Sequence, residues 1–128
     1  MKNYFTEKDN MDKEQELVKK FVDSRSWENP GAIKDLLLNI VEETGEAWNI
    51  IKWVDEEKGK ELMEKNKEQF QDFIGDQLYL ILRIANTAGV NAKKALQETI
   101  NEYEQRFPVG TKNANVLAGG TDLKYQKN

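Results

Sequence analysis

Apolar residues recur at helical spacing along most of the chain, and that periodicity restricts the possible folds more than any other feature. Leu17, Val18, Phe21 and Val22 predict a first helix over about 12–24. Ile33, Leu36, Leu37, Ile40, Val41, Trp48 and Ile51 form a stripe at 3.6-residue spacing and predict a second helix over about 32–54. A third carries Phe70, Phe73, Ile74, Gln77, Leu78, Ile81, Ile84, Ala85 and Ala88, with Gly89 placed to end it as a C-cap. Leu96, Ile100, Tyr103 and Phe107 predict a fourth over about 91–106, which Pro108 closes.

Between these segments, Asn29-Pro30-Gly31 breaks the periodicity and marks a loop. The mixed charges of 55–68 read as a solvated turn that becomes the first turns of the third helix. Residues 1–10 are expected to be a loosely ordered lead-in and 109–128 a non-helical, glycine-containing tail. The expected architecture is all-α: one domain over 1–128, a four-helix bundle.

What the chain lacks narrows its chemistry. It has no cysteine and no histidine, so thiolate nucleophiles, disulfides, Cys-bound zinc and the commonest general base are excluded. Catalysis would have to use carboxylates, lysine, hydroxyls or a hard metal with oxygen ligands, such as Mg²⁺. A net charge of −4 disfavours long nucleic acid as a partner, which rewards a basic face. No apolar run approaches the roughly 18 residues needed to span a bilayer and no signal-peptide core opens the chain, so a cytoplasmic protein without membrane partners is expected.

Two acid pairs stand out from the solvated charge. On the second helix Glu43 and Glu46 lie 60° apart, on a stripe that reads Asn39, Glu43, Glu46, Ile50, Trp53. On the third, Asp72 and Asp76 are one turn apart, with Gln69 and Arg83 near the same side. Acid pairs at this spacing are common on solvated faces, but here both sit on partly apolar stripes. If the two helices pack antiparallel, Glu43, Glu46 and Asp76 converge, with Asp72 nearby. Such a cluster repels itself and favours a divalent cation with hard oxygen ligands. Gly75, inside a helical run, suggests a close helix approach or a bound ligand.

In order and spacing these segments resemble the MazG family of nucleotide pyrophosphohydrolases. Glu42-Glu43-x-x-Glu46 is similar to that family's first acidic motif, and Asp72-Phe73-Ile74-Gly75-Asp76 to its second. Leu78 to Gly89, Arg106-Phe107-Pro108-Val109 and Ala118-Gly119-Gly120-x-Asp122 resemble its later segments, so the likeness covers about 27–124. Phe73 stands where the family has a metal-binding glutamate, and Thr99 and Tyr103 where many members have lysine and asparagine.

The resemblance implies Mg²⁺-dependent hydrolysis of a (deoxy)nucleoside triphosphate to monophosphate and pyrophosphate, with Mn²⁺ a possible substitute. It implies Glu43, Glu46 and Asp76 as catalytic acids, joined by Asp72 as metal ligands. Trp53 is a candidate for stacking on the base, or else a helix-end core aromatic; Lys34, Arg83 and Asn39 are candidate substrate contacts. Trp48 is expected in the core and Trp27 as a loop anchor. A homodimer or homotetramer is implied, walling the open side of the site. The alternatives are a dUTPase-like or phosphoribosyl-ATP-cleaving relative, and a catalytically degenerate helical oligomer that binds nucleotide or protein.

Overall fold

The structure, a computed structural model, describes residues 11–111. The expected lead-in at 1–10 and all but the first three residues of the expected tail lie outside them. The described residues form five α-helices and one short 3₁₀ turn: α1 (Asp12–Asp23), the 3₁₀ turn Pro30–Ala32, α2 (Ile33–Ile51), α3 (Glu56–Lys65), α4 (Lys67–Ala88) and α5 (Ala92–Arg106). By backbone proximity the chain divides into two compact units. Asp12–Asn91 form one, and α5 belongs to the other.

Local chemistry sets the ends of each helix. The Asn29 side chain accepts a hydrogen bond from the Gly31 amide at 3.0 Å, and Pro30 opens the 3₁₀ turn where its missing N–H is not needed. Asp55, in extended conformation, accepts from the Lys58 amide at 2.8 Å and caps α3. Gly89 ends α4 at φ 67°, with Val90 N–H donating to Ala85 O and Gly89 N–H to Asn86 O in a Schellman arrangement.

The segment read as a turn running into the third helix is instead a helix of its own. Asp55 caps its start, and Asn66 separates it from α4, the Asn66 side chain donating to Leu62 O at 2.7 Å. The charges along α3 pair on its solvated side, Glu61 with both Lys58 and Lys65. Such exposed pairs contribute little to stability, so α3 owes more to its cap than to its charges.

Within Asp12–Asn91, α4 packs against both α1 and α2. Asn86 donates to Gln15 O at 3.1 Å, and Gln15 donates to Val90 O at 2.7 Å, tying the end of α4 to the start of α1. The buried core is small: Val22, Leu36, Leu80, Leu82 and Ala85. Much of the predicted core stripe is not covered. Leu37, Val41 and Trp48 are 51%, 65% and 54% exposed on α2. Ile74, Leu78 and Ile81 are similarly open on α4. Helical spacing puts these six on one side of the α2–α4 seam.

In the other unit, Tyr103 meets Phe107 edge-to-face at 6.2 Å, and Arg106 lies over the Tyr103 ring while pairing with Glu102. No described helix is long and apolar enough to cross a membrane.

Candidate active site

The antiparallel pairing of α2 and α4 brings the two acidic stripes together. Glu43, Glu46, Ala47 and Ile50 of α2 face Gln69, Asp72, Phe73 and Asp76 of α4 across a cavity of about 220 Å³. All four predicted carboxylates line it. Residues three and four apart share a face, so each acid pair needs only its own helix to present both members.

Glu43 senses its surroundings most clearly. The Glu43 carboxyl is pushed above the ordinary glutamate value by partial desolvation first, then by the charges of Glu46 and Asp76, a hydrogen bond with Asp76, and the charge of Asp72. Glu43 is half-buried, whereas Glu46, Asp72 and Asp76 are exposed. As placed, no three acidic side chains among the described residues form a closed metal-holding set. They line one cavity without closing on a point. The donor chemistry nevertheless fits Mg²⁺: every charged group is a hard oxygen ligand, and a cation would relieve the crowding of acids that helps raise Glu43. Phe73 puts an apolar ring in the same wall.

The other candidates are not brought to this cavity. Lys34 and Asn39 stand exposed on α2. Arg83 lines a different hollow with Lys19, Trp27, Glu28 and Asn86, where it donates to Trp27 O at 3.0 Å and to the Tyr79 hydroxyl at 3.3 Å. Arg83 therefore anchors the loop before α2. Trp27 is held in this way and packs edge-on against Phe21, as expected for a loop anchor. Trp53 is no core aromatic: it sits beyond the end of α2, 89% exposed, with left-handed backbone at φ 66°. Trp48 is not in the core either. Gly75 is not a close-packing glycine, since a Cβ built there meets nothing within 4 Å. On α5, the Thr99 hydroxyl donates to Ala95 O at 3.0 Å, a bond within its own helix.

Sequence reasoning missed one feature of the α2–α4 seam. Gln77, counted among the core residues, crosses to α2 and donates to Ile40 O at 3.1 Å and Thr44 Oγ1 at 2.8 Å. A polar residue in an apolar stripe was the available signal. It also missed that Phe21, Trp27 and Tyr79 gather into an aromatic cluster beside α1. Tyr79 lies off both stripes considered, so periodicity gave no reason to single it out.

No protein-family model matches the chain. The chain is 28% identical over 111 residues to dCTP pyrophosphatase 1 of Rattus norvegicus, a match covering 85% of this chain. It spans 62% of that relative's length. Its fold matches the crystal structure of a pyrophosphatase from Archaeoglobus fulgidus DSM 4304 with a TM-score of 0.68 at 23% identity. That match covers 84% of this chain and 98% of the other. The chain thus shares the all-α fold of that pyrophosphatase, and its sequence is similar to that of the rat protein over most of its own length.

Proposed function

We propose that this protein hydrolyses a (deoxy)nucleoside triphosphate between its α and β phosphates, releasing pyrophosphate, with Mg²⁺ held at the α2–α4 cavity. The observation that carries this reading is the meeting of Glu43, Glu46, Asp72 and Asp76 around one cavity, with Glu43 raised by desolvation and by its acidic neighbours. Those four residues would hold the ion, whose chemistry is to offset phosphate charge and the charge developing on the leaving pyrophosphate. Asp72 takes the role that a glutamate at position 73 would have, from one residue earlier and on a shorter side chain.

The chain's own groups do the remainder. With no histidine, a cavity carboxylate orients the attacking water. The Gln69 amide lines the wall and can donate to a phosphate oxygen. Ile50, Ala47 and Phe73 give an apolar floor that limits water around the reacting phosphates. Trp53, open to solvent at the end of α2, is available to stack on a base.

The test is pyrophosphate release from a panel of NTPs and dNTPs with Mg²⁺, dCTP included because of the rat relative. The expected result is turnover that needs both Mg²⁺ and Glu46, with Glu46→Ala lowering kcat at least about 100-fold. Orthophosphate as the product would place the cut at another bond and reject the reading. A second reading, a nucleotide- or protein-binding oligomer without turnover, is favoured by Phe73 in the cavity wall and by the self-contained bonding of Thr99. Nucleotide binding without hydrolysis, in Mg²⁺ and in Mn²⁺, would select it.

A further inference from the structure

Beside the acids, a set of side-chain hydrogen bonds joins α2 to α4. Gln77 Nε2 donates to both Ile40 O and Thr44 Oγ1, and the Thr44 hydroxyl itself donates to Ile40 O at 2.7 Å. Three groups on two helices thus close a small polar knot. Thr44 directly follows Glu43, and Gln77 directly follows Asp76. Because each Cβ is rigidly set by its backbone, holding 44 against 77 also sets the separation of 43 from 76.

The rest of the seam does little to fix that separation. Leu36, Ile40 and Ala47 on one helix and Phe73, Leu80 and Ile84 on the other repeat at near-helical spacing. A slide of one turn, about 5.4 Å, would offer comparable apolar surface while carrying Asp76 past Glu43. Apolar contacts tolerate such a slip; hydrogen bonds do not. Single polar residues in helix seams are known to specify register in this way, at a cost in stability. The cost is visible here, because the Gln77 Oε1 atom is buried with no hydrogen-bond partner. A leucine would fill nearly the same volume without that penalty.

We propose that Gln77 is a positioning residue: through Thr44 and the Ile40 carbonyl it locks α4 on α2 in the one register that sets Asp72 and Asp76 opposite Glu43 and Glu46. This rests on the cation-binding reading of the cavity. It requires that stability and cation affinity move in opposite directions when the knot is removed.

The experiment uses the full chain with Gln77→Leu, Thr44→Val and Thr44→Ser, titrated with Mn²⁺ in the absence of nucleotide and followed by electron paramagnetic resonance. Thermal melts and steady-state kinetics accompany the titrations. Gln77→Leu is expected to melt at or above the wild-type temperature while its Mn²⁺ affinity falls about 10-fold or more. Its kcat should fall with KM little changed. Thr44→Val should lose affinity in the same direction, and Thr44→Ser, which keeps the hydroxyl, should retain it. If Gln77→Leu does not fold, the Thr44 pair decides the matter. Wild-type Mn²⁺ affinity in Gln77→Leu or Thr44→Val overturns the positioning role and leaves the cation site standing. A wild-type protein that binds no Mn²⁺ overturns the cation site itself, and the positioning role with it.

Discussion

Glu43 shows how a single residue can carry a stability signature of the site. Its carboxyl is raised by desolvation and by the three neighbouring acids, so between pH 4.5 and its higher folded value the native state binds more protons than the unfolded chain. With no cation bound, stability should therefore fall as pH rises through that window. Glu43→Gln is expected to flatten the slope and raise the melting temperature at pH 7 in EDTA, which melts between pH 4 and 7 would measure. An unchanged slope would mean the acids do not sense one another. Gly75 gives a second residue-scale expectation. Its open surroundings leave only the backbone cost of glycine in a helix, so Gly75→Ala should stabilise by about 1 kcal/mol in denaturant titrations. The acids were legible in the sequence because helical periodicity alone puts each pair on one face. Arg83 was not, because its partner is a backbone carbonyl 56 residues away.

At the scale of elements, α2 and α4 hold the site and most of the core. Leu36 is 4% exposed, and Leu36→Ala should cost about 2–5 kcal/mol by urea unfolding, the usual cost of truncating a buried leucine. Helix positions were read to within a few residues because their start and stop signals are chemical: Asn29-Pro30, the Gly89 cap and the Pro108 stop. The misread segment was α3. Its charged sequence lacks an apolar stripe, so periodicity was silent there, while the Asp55 cap and the helix-friendly Lys and Glu residues were enough to form it. Which stripe becomes core was less legible still. Spacing identifies an apolar face but not what covers it, and both α2 and α4 carry more apolar surface than is buried among the described residues.

For the molecule as a whole, that surplus is the most consequential feature. Leu37, Val41 and Trp48 of α2 lie beside Ile74, Leu78 and Ile81 of α4, on the side of the seam away from the acids and each about half exposed or more. Contiguous apolar surface of this kind marks association, and it is what the homodimer or homotetramer implied by the resemblance would cover. Leu78→Glu is expected to shift the protein toward monomer in analytical ultracentrifugation without unfolding it, because Leu78 is half exposed in the single chain. A wild type that sediments as a monomer at high concentration would reject the assembly.

The three tryptophans make the same surface optically accessible. Trp27, Trp48 and Trp53 are 49%, 54% and 89% exposed, so an isolated chain should fluoresce almost as far to the red as its unfolded form. Trp48 alone belongs to the apolar face between the helices. Any blue shift that grows with protein concentration, and that Trp48→Phe removes, would be the spectral record of that face leaving water.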